Sequence, residues 1–177
     1  MADLATLADW DAYQERLPAA LIAQVEAAVR SYCGWHIAPS VTETITVDGQ
    51  GGHVLALPTL HLTAVTAVSN GGDAVTITDV DWSEAGYLEL RCGHWTCRPR
   101  GVVATITHGY DTPPAEVVGV IMQVASRASS SPAGITREQA GSVSFSYALT
   151  APGVSGGVAL LEHERAILDH YRIPPRA

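Results

Sequence analysis

The chain alternates between two hydrophobic rhythms. After Pro18, the residues Leu21, Ile22, Val25, Ala28, Val29, Tyr32 and Cys33 recur at steps of three and four until Gly34. That spacing predicts a helix with one buried face, and it places Cys33 in a core. From Val41 to Tyr110 the step becomes two. TETITV, HVLAL, LTAVTAVS, AVTI, DVDW, YLEL and VVATITHGY are punctuated by DGQGG, NGG and SEAG. This predicts six or seven short strands, joined mostly by tight turns, in a small antiparallel sheet or barrel.

The helical step then returns. Asp111-Thr112-Pro113-Pro114 stops a strand and opens a helix in which Val117, Val118, Ile121, Val124, Ala125 and Ala128 form the apolar stripe. A last helix, VALLEHERAILDHYR, presents Leu160, Leu161, Ile167, Leu168 and Tyr171 before Pro174-Pro175 ends it. Between the two, residues 129–157 are rich in Ser, Gly and Pro. Within them SVSFSYA alternates Val143, Phe145 and Tyr147 against serines, so a lone strand or hairpin is expected on a flexible arm that orders on binding. Near the start, ATLADWDAYQERL reads as a further short helix, with Thr6 and Asp9 in capping positions and Pro18 at its end.

The order predicts an α+β fold: a helical core of two N-terminal helices, a later helix and a C-terminal helix, with an inserted antiparallel β-sheet or barrel and a long flexible arm. The expected organisation is one domain over 1–177. Its parts are N-terminal helices (1–40), a β insert (41–110), a helix (111–130), an arm with a short strand (131–157), and a C-terminal helix and tail (158–177).

Composition narrows the function. With 47% apolar and 16% charged residues the chain is a folded protein. Ten basic residues and a net charge of −8 oppose a tight grip on nucleic acid, which needs clustered Lys and Arg. No apolar run approaches the roughly 20 residues that span a bilayer. The acidic N-terminus lacks the basic start of a secretory signal, so a reducing cytoplasm is expected, and three cysteines there argue against a disulfide framework.

The candidate chemistry is concentrated in RCGHWTCRPR. Cys92, His94 and Cys97, joined by Cys33 or His36, offer zinc-type ligands, but assembling them requires a helix end to meet a distant hairpin tip. The competing reading is a connecting loop between YLEL and VVATITHGY, with Trp95 folded over the sheet edge. Cys92 and Cys97 lack the C-x-x-C spacing of a redox pair. Gly153-Val154-Ser155-Gly156-Gly157 matches G-x-S-x-G, with Asp169 and His170 downstream, but no buried strand precedes it to hold a nucleophile elbow. His108 at a strand end reads as a hydrogen-bonded structural residue, and Glu116 as first-turn helix chemistry. Gly51-Gly52 and Gly71-Gly72 lack the Lys and helix of a phosphate loop. No enzymatic activity, cofactor or metal is expected.

The succession YCGWHIAP, VLALPTLHLTAVTAVS, DWSEAGYLEL, a Trp-bearing loop, VVATITHGYDTPPAEV, SRASSSPAGITREQAGSVSFSYA and LLEHERAILDHYR resembles the head-to-tail adaptor proteins of tailed bacteriophages. This is the head completion or connector group, in the version found in phages of actinobacteria. The likeness runs from about Leu4 to Arg172. It implies a non-enzymatic virion protein at the capsid–tail junction, made in the bacterial cytoplasm. Such a protein forms a ring, expected to be twelve-fold, beneath the portal protein, extends the DNA channel, and offers a platform to a stopper or other tail-side neck protein. An acidic ring would let DNA slide without sequence-specific binding. Another neck component, a stopper or tail completion protein, is the related alternative; a small zinc-binding domain using Cys92, His94 and Cys97 is the other. The candidate contacts are Phe145 and Tyr147 on the arm, which would add a strand to a neighbour's sheet. Leu160, Leu161, Ile167 and Tyr171 on the last helix would meet the portal or pack on the protein's own core. Arg98 and Arg100, with Arg91, would face an acidic tail-side surface.

Overall fold

Where six or seven strands were expected, the computed structural model, which describes residues 18–130, 137–140, 143–146 and 158–174, has seven. They are β1 (Val41–Val47), β2 (Val54–Ala56), β3 (Leu62–Asn70), β4 (Asp73–Val75), β5 (Val80–Ser83), β6 (Tyr87–Leu90) and β7 (Val102–His108). They form two antiparallel sheets, ordered β1-β7-β3-β4 and β2-β6-β5. The last strand therefore lies between the first and the third, an arrangement that adjacency along the chain does not suggest. β7 suits the central position because Val102, Ala104 and Ile106 alternate strictly toward the interior. AVTI is cut short: β4 ends at Val75, and Ile77–Asp79 make a 3-10 turn before β5.

Along β3 the buried residues are Leu62, Val65 and Val68, a step of three where a flat strand would show two. Two register irregularities, between Leu62 and Ala64 and between Val65 and Ala67, explain it. Each adds a residue, so Leu62, Val65 and Val68 stand opposite His108, Ile106 and Ala104, which are spaced by two. On the outer face, Thr42 and Thr107 are hydrogen-bonded at 2.7 Å and Thr44 and Thr105 at 2.9 Å, forming cross-strand pairs.

One hydrophobic core takes side chains from both sheets, including Val47, Leu55, Leu88, Val102 and Ile106. Trp95 belongs to it and is 1% exposed. The expectation that this ring folds over a sheet edge is therefore corrected: the loop turns inward at Trp95 and uses the largest side chain it has to fill the core.

The chain divides into two compact units, the sheets with Cys33–Pro114 and Tyr171–Ala177 in one, and the helices in the other. α1 (Ala19–Cys33) buries Ile22, Val25, Val29 and Cys33, as the spacing required, and Gly34 at φ 82° leaves the helix in the left-handed conformation. α2 (Ala115–Ser130) buries Val117, Val120, Ile121, Val124, Ala125 and Ala128. Val120 thus takes the inner position expected of Val118, which is half-buried.

The last helix is shorter than its periodicity suggests. α3 covers Glu162–Leu168, followed by a 3-10 turn at Asp169–Tyr171, so Leu160 and Leu161 precede the helix instead of lying on its face. The Glu164 side chain accepts the Leu161 backbone N–H at 2.8 Å, satisfying one of the helix's unpaired donors and fixing the start there. Within residues 129–157, β8 (Arg137–Ala140) and β9 (Val143–Ser146) pair antiparallel, so the arm carries a hairpin and not a lone strand. The expected helix over ATLADWDAYQERL lies outside the described residues.

Candidate functional site

The inward row of β7 ends on a histidine. After Val102, Ala104 and Ile106 the next inner position is His108, 2% exposed. On the neighbouring β1, Glu43 stands opposite Ile106 and so on the same face, one diagonal step from His108. Its carboxylate meets the imidazole, with Glu43 Oε1 2.9 Å from His108 Nε2. The second ring nitrogen of His108, Nδ1, is buried with no hydrogen-bond partner, an arrangement that costs about 1–3 kcal/mol.

A third side chain comes from the turn that leads into β1. Ala38 N–H donates to His36 O at 2.8 Å across Ile37, whose φ is 64°. A β-branched residue in the left-handed region is strained, and such strain gathers where a side chain must be aimed. Tyr110 N–H holds the turn by donating to Ile37 O at 2.8 Å. His36 is thereby set edge-on to His108, with ring centroids 4.4 Å apart, and its Nε2 lies 2.9 Å from the Pro39 carbonyl. Gly109, at φ 98°, must be glycine here, because a Cβ would collide with His36 Nε2 and the Pro39 carbonyl. Burial is the main cause lowering the His36 pKa below its ordinary value, and the nearby His108 adds to it; the Pro39 carbonyl and Glu43 oppose both.

One ligating atom from each of His36, Glu43 and His108 lies within 4.8 Å of the others. Glu43 is half-exposed, so the cluster is rooted in the interior at His108 and open to solvent at its carboxylate. Trp35 lies edge-on to His36 at 5.8 Å, and Tyr110 in turn lies 6.2 Å from Trp35 and stacks on His61 at 4.1 Å. Two of this trio were singled out from sequence: His36 as a fourth zinc-type ligand for the distant Cys92, His94 and Cys97, whereas it converges instead on Glu43 and His108, and His108 as a hydrogen-bonded structural residue, with which its bond to Glu43 agrees. The available signal was a carboxylate and a histidine standing in the inner rows of two strands. What was missing was that those strands, first and last in the sheet insert, are neighbours.

The RCGHWTCRPR stretch is a loop built on backbone hydrogen bonds. Gly49 N–H donates to Arg98 O at 3.0 Å, Gly51 N–H to Thr96 O at 3.2 Å, and Trp95 N–H to Gly52 O at 2.8 Å. Asn70 clamps it, accepting Thr96 N–H at 2.8 Å and donating to His94 O at 3.0 Å. A Cβ on Gly49 would strike the Thr96 carbonyl, which explains the glycine. Cys92 and Cys97 are exposed, and the His94 ring lies 4.1 Å from that of His53. Among the described residues the trio of His36, Glu43 and His108 is the one group of metal-type side chains that converges. Cys92, His94 and Cys97 are not brought together, because the bonds that hold this loop are spent on aiming Trp95 inward.

Nor are the loop's three arginines equivalent. Arg91 is held by Asp81 through two hydrogen bonds, at 2.7 and 2.9 Å, which also keep the Asp81 carboxyl below its ordinary pKa. Arg98 and Arg100 are exposed and have no ion-pair partner among the described residues. Arg100 borders an open groove of about 630 Å³ shared with Thr46, Asp48, Pro58 and Ile173.

Of the other expected contacts, Leu160, Leu161 and Ile167 are half-buried. Tyr171 is engaged within its own unit: its carbonyl accepts Trp35 Nε1–H at 2.7 Å and its ring meets Tyr110 edge-on. Phe145 falls on β9; Tyr147 and Ser155 lie outside the described residues.

No protein-family model and no curated protein matches the sequence. Solved structures do match in fold. A chain in the neck of the native GTA (gene transfer agent) particle, computed with C12 symmetry, superposes with a TM-score of 0.60 at 14% identity, covering 94% of this chain and 89% of that one. This chain has the fold of a neck protein. A chain in the neck of the empty GTA particle, computed with C6 symmetry, matches with a TM-score of 0.52, also at 14% identity, over 89% of this chain and 78% of that one.

Proposed function

We propose that this chain is the head-to-tail adaptor of a tailed phage or phage-like particle. It assembles as a ring beneath the portal protein, continues the DNA channel, and presents a platform to the next tail-side component. The observation that carries this reading is the neck fold, matched over 94% of the chain to a component of a particle neck computed with C12 symmetry. A twelve-fold ring is the corresponding expectation, with the whole chain acting as one adaptor domain. The order of motifs from YCGWHIAP to LLEHERAILDHYR points the same way.

The charge is consistent with the role. Each copy carries a net −8, so a closed ring surrounds the channel with negative charge and repels phosphate, and DNA passes without being held. Specificity then resides in protein surfaces. Phe145 and Tyr147 on the hairpin arm are assigned to strand addition on a neighbouring copy, and Leu160, Leu161 and Ile167 to the portal side. Arg98 and Arg100 are assigned to an acidic tail-side partner. A reconstruction of the neck from particles carrying this chain tests the reading: density for it in a ring directly below the portal is expected, and density elsewhere in the particle would overturn it.

A further inference from the structure

We propose that His36, Glu43 and His108 form a binding site for a divalent transition-metal ion of the zinc class. The site is independent of the adaptor reading. Two imidazoles and one carboxylate are the ligand set that borderline ions such as Zn²⁺ take when three positions come from protein and one is left open. Their ligating atoms already lie within 4.8 Å of one another. Bonds of about 2.0–2.1 Å to a tetrahedral ion set neighbouring ligand atoms a little over 3 Å apart, and the Glu43 Oε1 to His108 Nε2 separation is 2.9 Å.

Two further features fit a metal better than a plain hydrogen-bonded pair. His36 is delivered by a strained turn at Ile37, and Gly109 is kept free of a side chain so that the ring can approach. The ligands also come from three separate segments, the turn before β1, β1 itself and the end of β7. An ion there would tie the edge strand β1 and its leading turn to the central strand, the closure of separate segments that structural metals provide. The exposed side of Glu43 leaves the fourth position to water or to a side chain of a neighbouring molecule.

The test uses the full chain, stripped with a chelator and titrated with Zn²⁺, with Co²⁺ absorption as the coordination reporter. The expected result is one ion per chain with a tetrahedral Co²⁺ spectrum. Glu43→Gln and His36→Gln should each weaken binding by roughly tenfold or more, the scale seen when a ligand's environment is disrupted. Both are preferred to a substitution at buried His108, which endangers folding. A Cys92→Ser/Cys97→Ser double variant should bind as the parent does. Substoichiometric binding would overturn the proposal, as would affinity unchanged in both Glu43→Gln and His36→Gln, or affinity lost in the cysteine variant.

Discussion

Arg127 on α2 and Glu164 on α3 meet as a two-pronged ion pair, with Nη1 to Oε1 at 2.6 Å and Nη2 to Oε2 at 3.0 Å. Glu164 is fully buried, and the same guanidinium also donates to the Ala159 carbonyl at 2.6 Å. Together with the Glu164 bond to Leu161 N–H, the pair fixes where the last helix begins and ties it to α2. Arg127→Met leaves a buried carboxylate without its counter-charge and should destabilise the fold by about 3–5 kcal/mol. Urea unfolding measures it, and a loss under about 1 kcal/mol would mean the pair is dispensable.

The same carboxylate gives a pH dependence. Burial pushes the Glu164 pKa up, but the hydrogen bonds from Arg127 and Leu161 and the Arg127 charge outweigh it and hold the group below its ordinary 4.5. A carboxyl lowered on folding contributes stability that is fully present above the unfolded value and is lost as pH falls through the folded one. Unfolding free energy should therefore decline below about pH 4.5, and Glu164→Gln should flatten that part of the profile while lowering stability at pH 7. Parallel acid profiles for the two proteins would contradict the assignment.

Trp95 anchors the 91–100 loop from inside. Trp95→Ala should cost about 3–5 kcal/mol, the range for deleting a buried aromatic side chain. Trp95→Phe should cost much less, because it also removes the Nε1–H, which is buried with no partner. Chemical denaturation followed by circular dichroism compares them; equal losses would show that the loop, not the ring, carries the stability.

Two glycines separate backbone strain from collision. Gly86 has φ 84°, and a Cβ there would strike the Thr59 carbonyl, whereas Gly93 has φ 87° and open space around it. Gly93→Ala should cost about 1 kcal/mol from the left-handed conformation alone, and Gly86→Ala clearly more. Melting temperatures in the reverse order would refute this.

How much of this was legible in the sequence depended on whether a feature was local. The stripe ending at Cys33 follows from a step of three and four, and the strands lie in the stretch after Val41 where that step gives way to two. The spacing of Leu62, Val65 and Val68 was not readable as a strand's inner row, because a bulge inserts a residue without any residue type that marks it. Trp95 was misplaced because nothing in RCGHWTCRPR says that Asn70, some 25 positions earlier, will turn the loop inward. The His36, Glu43 and His108 cluster required the pairing of β1 with β7, which no neighbouring residues encode.

The proposed role of residues 143–147 in joining neighbouring copies has a direct test. Phe145→Ala combined with Tyr147→Ala should leave the isolated chain folded, by circular dichroism, and abolish its incorporation into heads. Full incorporation would remove the arm from the interface.

The most direct measurement is native mass spectrometry of the purified chain, alone and mixed with the portal protein of the same particle. A discrete closed ring of this chain, twelve copies, seated on the portal, is expected. A chain that stays monomeric and leaves the portal's mass unchanged would contradict it.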